Sequence, residues 1–217
     1  MVGDGIISMN RVSSQSRTYE LKARAKGQVQ TRRRIARKAA ELHEEIGPAA
    51  TTVAEIARRA GVSRVTVYRH FPDDASLYPA CSAHYRDRHP LPDFGRPLEI
   101  EDPIRRVSAV LRSLYGWYRD CRPMLRNLYR DRGSDPALDR FMRGSSDELR
   151  AQLVSALTAG FRARGARAKR LATVIRLALH FWTWERLAED GYEDADAADL
   201  MAEVVAGASV GPPATPT

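Results

Sequence analysis

The chain has 217 residues and a net charge of +8, and 43% of its residues are hydrophobic, which suits one or two domains with a buried core. Two cysteines, Cys81 and Cys121, are too few for a disulfide framework, and no Cys/His spacing indicates a zinc site. No apolar run is long enough to cross a membrane, and the first residues lack the pattern of a signal peptide. We therefore expect a cytoplasmic protein with no metal, no cofactor and no membrane partner.

The excess positive charge lies in the first third of the sequence. Residues 1–70 contain 14 Lys and Arg against 6 Asp and Glu, whereas residues 71–217 contain 21 of each kind. A basic region joined to a neutral one favours a polyanion as the partner of the basic region alone. A solvated basic tail is the alternative, and the charge count does not decide between the two.

Apolar residues at helical spacing predict an all-α protein. Residues 1–26 show no such spacing and are predicted to form a flexible basic arm, while the proline-rich residues 211–217 are predicted to be a disordered tail. The first helix is predicted to begin near Gln28 and to end at Gly47-Pro48.

Two short capped helices follow. Thr52 and Glu55 form a capping box at the start of the first helix, and Gly61 ends it in a tight turn. Ser63 caps the second helix, which runs through His70. This arrangement is typical of a helix-turn-helix, in which the second helix lies in the major groove of DNA. The alternative is a pair of core helices whose charged faces are only solvated.

The remaining two thirds of the chain predict further helices. A fourth helix spans 73–88 and contains Pro79, which is expected to kink it. Ser145 and Glu148 have the spacing of a second capping box, and the last two helices are predicted over 167–190 and 195–208.

The segment from Thr31 to Tyr78 resembles the DNA-binding domain of the TetR family of bacterial transcriptional regulators. The leading arginines and the runs TTVAEIARRAGVS and VYRHFPDDASL carry the resemblance, and the rest of the chain is similar to the family only in its helical architecture. The resemblance implies a three-helix DNA-binding domain over 27–72 and a helical ligand-sensing and dimerisation domain over 73–210. It also implies a homodimer that binds double-stranded DNA at a palindromic operator, acts as a repressor and is released by an unknown small-molecule effector.

The same resemblance assigns roles to single residues. Thr52, Tyr68 and His70 would contact phosphates, and Arg64 and Thr66 would approach bases. With their neighbours on the polar outer face, the predicted DNA-binding residues are Thr52, Ser63, Arg64, Val65, Thr66, Tyr68, Arg69 and His70.

Four positions depart from the family pattern. Val65 stands where glycine is frequent, and Asp74 stands where a lysine usually reaches a phosphate. His43 replaces a usual core aromatic residue, and Pro79 is unusual inside the fourth helix.

An apolar cavity for the effector is predicted between the helices that follow residue 100. We predict that Trp117, Cys121, His180 and Trp184 line it. Aromatic and sulfur-containing residues at helical spacing are, taken singly, more typical of a plain core, and so is a histidine inside an apolar helix. The last two helices are predicted to pair with a second copy, which suits a palindromic operator; the alternative is that they complete the core of the monomer.

The sequence leaves two other classes of function as alternatives. An enzyme is disfavoured because no nucleophile elbow, phosphate-binding loop or HExxH motif is present, so we expect no enzymatic activity. A basic-armed adaptor that binds a protein or an acidic surface non-specifically shares the charge excess, but it does not need the turn at Gly61.

Overall fold

The computed structural model describes residues 6–210, with side chains from residue 22 on. This part of the chain contains helices and turns and no strand, which confirms the predicted all-α fold. The helices in chain order are α1 (Ile6–Glu45), α2 (Val53–Ala60), α3 (Arg64–His70), α4 (Asp74–Arg88), α5 (Gly95–Leu98), α6 (Pro103–Asp120), α7 (Arg122–Asp131), α8 (Pro136–Met142), α9 (Glu148–Ala159), α10 (Gly165–Ala178), α11 (Phe181–Glu189) and α12 (Asp194–Ser209).

Two large hydrophobic cores organise the described part of the molecule, and a small third cluster joins Tyr78 of α4 to Leu138 and Met142 of α8. The first, which we call the head, unites the second half of α1, α2, α3 and the start of α4 around residues such as Leu42, Ile56 and Phe71. It includes Leu77 and Cys81 of α4, so the head extends beyond the end at residue 72 that the sequence predicts. The second core, the body, is built by α6, α7 and α9–α12.

Both predicted hydroxyl caps of the head form, but the predicted capping box at Thr52 and Glu55 is not completed. Thr52 accepts a hydrogen bond from the Glu55 amide at 3.2 Å, and Ser63 accepts one from the Thr66 amide at 3.1 Å. The Glu55 side chain does not close the predicted capping box, because its carboxylate binds Arg58 and Arg59 instead. Two guanidinium partners hold the carboxylate more strongly than a single backbone amide.

The start of the chain departs from the sequence prediction. The predicted arm over 1–26 is wrong from residue 6 onward, since Ile6–Glu45 forms one helix. The prediction relied on apolar periodicity, which a helix needs only where it packs; residues 22–30 are all exposed. The predicted tail 211–217 and residues 1–5 lie outside the described residues.

The predicted long helix over 167–190 is also wrong, because the chain breaks at Leu179 and His180. Here α10 ends, His180 is extended, and its Nδ1 accepts a hydrogen bond from the Trp182 amide at the start of α11. The carbonyls released at the end of α10 are taken by two buried tyrosines of α6. The Tyr115 hydroxyl donates to the Ala178 carbonyl at 2.7 Å, and the Tyr118 hydroxyl donates to the Leu179 carbonyl at 2.8 Å.

The second predicted capping box, at Ser145 and Glu148, does not form. A five-residue π-helical turn, Arg143–Asp147, connects α8 to α9 without leaving helical geometry. No free helix start exists there, so Ser145 has no amide to cap, and its hydroxyl donates to the Phe141 carbonyl instead.

Candidate nucleic-acid interface and adjoining cavity

Helix α3 presents its outer face to solvent. Arg64, Val65, Tyr68 and Arg69 are exposed, whereas Val67 on the opposite face is buried in the head core. Val65 is 76% exposed and Tyr68 is 54% exposed, although large apolar and aromatic side chains are usually covered in part. An exposed row that mixes arginine, valine and tyrosine can contact phosphates and base edges in one groove.

Contacts at the end of α3 fix this helix to the rest of the head. Phe71 follows the helix and is buried, and the Arg32 guanidinium lies 4.0 Å from the centre of the Phe71 ring. The same guanidinium donates a hydrogen bond to the His70 carbonyl. Arg32 therefore ties the end of α3 to α1, which makes α3 a rigid part of the head.

Ser63, Thr66 and His70, which are also predicted to bind DNA, are either already hydrogen-bonded or partly buried. The hydroxyls of Ser63 and Thr66 lie 3.0 Å apart, and Thr66 is only half-exposed. The Nε2 atom of His70 is buried and has no hydrogen-bond partner among the described residues. Burial lowers the pKa of this imidazole, followed by the positive charges of Arg69 and Arg32, so His70 is a weaker candidate for a phosphate contact than Tyr68.

The arginines of α2 differ from those of α1. Arg58 and Arg59 are paired with Glu55, and Arg59 also pairs with Glu45. Hydrogen bonds from Arg58 and Arg59 lower the pKa of Glu55 to about 2. Arg33 and Arg34 on α1 are exposed. Among the described residues of the head, α1 therefore offers exposed arginines without an ion pair, whereas both arginines of α2 are paired.

Helix α7 binds the end of α1 and so joins the head to the body. The Asn127 side chain donates to the carbonyls of His43 and Glu44 at 3.0 and 2.8 Å. The Arg130 guanidinium donates to the Ile46 carbonyl at 3.0 Å, and the Asp131 carboxylate accepts from the Ala49 amide at 3.0 Å. The contacts to Glu44 and Ile46 satisfy carbonyls that the end of a helix leaves without partners within it. We call this set of contacts the junction.

A cavity of about 330 Å³ lies directly beside the junction. Its wall combines residues of the head with residues of α6, α7, α8 and α9, and most of them are apolar or aromatic. Buried members include Tyr78, Leu114, Tyr118, Met124, Leu125 and Leu138. The volume falls at the lower end of the range for small-molecule sites.

Tyrosines of α4 add polar contacts between the head and its surroundings. The Tyr78 hydroxyl donates to Asp135 at the start of α8, and the Tyr85 hydroxyl donates to Glu44 at 3.2 Å. Both tyrosines also line the cavity. A molecule in the cavity therefore touches the side chains that connect α4 to α1 and α8.

One of the four predicted cavity residues, Trp117, lines this cavity. The other three lie elsewhere: Cys121 is fully buried in the body core, the Trp184 indole is buried and donates to Asp194, and His180 caps α11. Burial also lowers the pKa of His180.

The sequence analysis expected the cavity between helices after residue 100 and therefore missed the part of the wall that the head supplies. His43, Tyr78 and Cys81 all form part of the cavity wall. The one available signal was His43 itself, a polar residue where an aromatic core residue is usual.

The fold and the exposed α3 define the class of protein: a helix-turn-helix chain with a helical body. Residues 35–81 match the family model described as bacterial regulatory proteins, tetR family. This match covers the segment that carries the resemblance found in the sequence, and it confirms that resemblance.

Relatives agree with this assignment. An uncharacterised HTH-type transcriptional regulator of Mycobacterium tuberculosis is 57% identical over 44 residues, which cover 20% of this chain and 23% of that protein. The match thus spans about a quarter of the curated relative. These relatives are transcriptional regulators rather than enzymes, as the sequence led us to expect.

Solved structures resemble most of the fold. A TetR-family transcriptional regulator from Streptomyces coelicolor is 20% identical with a TM-score of 0.59, and 82% of this chain and 80% of that chain are covered. The multidrug binding protein EbrR, complexed with imidazole, is 21% identical with a TM-score of 0.54, and the coverage is 85% and 92%. No helix of the described residues is long and apolar enough to cross a membrane.

Proposed function

We propose that this chain is a cytoplasmic transcriptional repressor that binds a palindromic operator as a homodimer and is released by a small molecule. The observation that carries the proposal is the outer face of α3, where Arg64, Val65 and Tyr68 are exposed on a helix that the head core and Arg32 hold rigidly. A rigid exposed helix of this kind fits the major groove.

We assign different tasks to the side chains of this face. Arg64 lies in the first turn of α3, where it can reach the acceptor atoms of guanine, and the exposed Val65 can contact the methyl group of thymine. Tyr68 and Arg69 lie farther along the helix and fit phosphate contacts, as does Thr52 at the start of α2. Base readout would then rest on the start of α3.

We assign the homodimer contact to α10 and α12, which pack against each other. Leu177 of α10 and Val204 of α12 are 57% and 46% exposed. The charged residues of α10 are all basic and those of α12 are all acidic. A twofold pairing that places α10 against α12 of the second copy would cover the apolar residues and match the charges.

The cavity beside the junction supports control by a small molecule. EbrR, whose fold is similar, is described as a multidrug binding protein and holds imidazole. A ligand that binds one head orientation more tightly than another shifts the population between them. Because the cavity wall includes residues of α1 and α4, its occupant has a direct means of changing the head orientation that DNA requires.

The DNA part of the proposal is tested by selecting bound duplexes from a random pool and measuring mobility shifts on the selected site. We expect a palindrome whose half-sites lie about 34 Å apart, or a multiple of that distance. Arg64→Ala should relax the base preference at one position per half-site, at a cost of about 1–3 kcal/mol there. Tyr68→Phe should weaken binding to every duplex alike.

Arg143→Ala is the control, because Arg143 is also a charged and exposed arginine but lies in the turn between α8 and α9, outside the head; it should leave both measurements unchanged. Binding that ignores sequence and disappears with salt would contradict the proposal and favour the non-specific adaptor.

The dimer is tested by sedimentation equilibrium. Leu177→Asp should shift the protein toward the monomer, because a charge would be buried without a partner in the apolar contact. Val29→Asp alters an apolar residue of α1 that is similarly exposed, at 52%, and should leave the dimer intact. A wild-type monomer at micromolar concentration would contradict this part of the proposal.

A further inference from the structure

His43 occupies an unusual place in the cavity. It lies in the last turn of α1, is only 4% exposed and forms part of the cavity wall. Its ring centre lies 5.6 Å from that of Tyr78, another wall residue. No hydrogen bond to either ring nitrogen of His43 is found within the described residues, although its carbonyl accepts one from Asn127.

The imidazole of His43 is uncharged at neutral pH. Burial lowers its pKa to about 4, against the opposing effect of the carboxylates of Asp135 and Asp131. A neutral imidazole has one nitrogen that donates and one that accepts a hydrogen bond. Because no hydrogen bond among the described residues uses these nitrogens and the ring lines the cavity, a ligand group can bond to one of them without displacing a partner.

The surroundings of His43 select the charge of such a ligand. Asp131 and Asp135 act on the ring electrostatically and disfavour an anion beside it. A cation would have to give up its hydration against a wall that is mainly apolar, which is costly. The exposed charged residues of the wall, Arg86 and Glu148, lie at the solvent side, and Arg150 is already bound to Tyr129 and Asp147.

Aromatic side chains select the shape of the ligand. Tyr78, Tyr85, Trp117, Tyr118 and Phe141 all line the cavity, and aromatic rings pack well against one another in offset or edge-to-face arrangements. The volume of about 330 Å³ admits a compact ring system.

We propose that the effector is an uncharged aromatic compound with one hydroxyl or similar group, and that this group forms a hydrogen bond with the imidazole of His43. The proposal rests on the proposed function, in that the cavity is the effector site. Because His43 belongs to α1, the effector touches the first helix of the DNA-binding head directly, in addition to α4.

The test compares two probes that differ by one hydroxyl, 1-naphthol and naphthalene, in fluorescence titrations of the full chain. Wild-type protein should bind 1-naphthol about fivefold more tightly than naphthalene, since one neutral hydrogen bond contributes ~1 kcal/mol. In His43→Phe the two affinities should become equal, because the aromatic ring is retained and the hydrogen bond is lost.

Ser146→Ala is the matched control. It removes another hydroxyl from the cavity wall and should keep the fivefold preference. Equal affinities in wild-type protein, a preference that survives in His43→Phe, or a preference lost in Ser146→Ala would each overturn the assignment to His43. So would the absence of binding of both probes up to the solubility limit of each.

A second measurement needs no variant. The chain has five histidines, and the ¹⁵N resonances of one imidazole should shift with 1-naphthol and not with naphthalene; unchanged resonances would overturn the proposal. Mobility shifts with the selected operator are measured separately. If the protein binds no duplex specifically but shows the hydroxyl preference, the regulator function fails and the His43 site stands; if it binds the operator but shows no preference, the reverse holds.

Discussion

The outer face of α3 and the cavity beside the junction are built in opposite ways. The face of α3 is exposed and comes from seven consecutive residues, Arg64–His70, on one small core. The cavity lies between helices, opens to solvent on one side and draws its wall from α1, α4, α6, α7, α8 and α9. The first depends on local caps and turns, whereas the second depends on contacts between distant parts of the chain.

This difference has a consequence for mutations. A substitution in the turn before α3 should affect only the head. It should lower the free energy of unfolding by about as much as it would in an isolated helix-turn-helix. A substitution at the junction should lower the free energy of unfolding by more. It strains the backbone, and it also breaks hydrogen bonds that hold the head against the body.

Two glycines with positive φ allow the most direct comparison. Gly47 has φ +92° at the junction, and Gly61 has φ +62° in the turn before α3. A Cβ on Gly47 would clash with the Arg130 guanidinium and the Asp131 carboxylate, whereas a Cβ on Gly61 would meet nothing within 4 Å. Moving the two clashing groups would break their bonds to Ile46 and Ala49.

Gly47→Ala should therefore lower the free energy of unfolding by about 3 kcal/mol or more, as backbone strain and overpacking add. Gly61→Ala should cost only about 1 kcal/mol, from the backbone alone. Urea unfolding of both variants gives the comparison. Equal losses in the two variants would show that the junction does not resist the added methyl group.

Acid should destabilise the cavity region through His43. Its pKa is about 4 in the folded protein and 6.5 without burial, so the unfolded chain binds a proton first as the pH falls. Above about pH 6.5 the His43 ring is neutral in both states and does not lower the free energy of unfolding. Between about pH 6.5 and pH 4 the free energy of unfolding falls, by at most ~3 kcal/mol.

His43→Phe should remove this part of the pH dependence. His70 and His180 also have a lowered pKa, but they are present in both proteins and cancel in the difference. The measurement is urea unfolding of wild type and variant at several pH values. Parallel curves between pH 6.5 and 4 would mean that His43 is not buried as a neutral ring.

The sequence predicted those features of the molecule that depend on neighbours along the chain. Thr52 and Ser63 each cap an amide three residues away, so spacing alone identified them. The break at His180 depends on Tyr115 and Tyr118, which lie 63 and 61 residues from the carbonyls they bind. No local pattern signals such a contact, and the same holds for the cavity, where of the four predicted residues only Trp117 lines the wall.

Asn127 tests the junction with a smaller change. Asn127→Ala removes two hydrogen bonds to the end of α1 and should lower the free energy of unfolding by about 1–2 kcal/mol. Gln152→Ala removes a similar amide that binds Glu148 on the exposed surface, and it should cost no more than about 0.5 kcal/mol. Comparable losses in the two variants would show that the junction bonds contribute no more than a surface contact.

Ser63 is the corresponding local test in the head. Ser63→Ala removes the cap of α3 and the contact with the Thr66 hydroxyl, which should cost about 1 kcal/mol of stability. Ser209→Ala deletes a hydroxyl that caps no helix start and should be nearly neutral. Because the cap fixes the start of α3, which we assign to base readout, Ser63→Ala should weaken binding to the selected operator more than binding to a random duplex, as mobility shifts would measure. An equal loss on both duplexes would mean that Ser63 contributes to the fold and to backbone contacts alone, and that the start of α3 does not read bases.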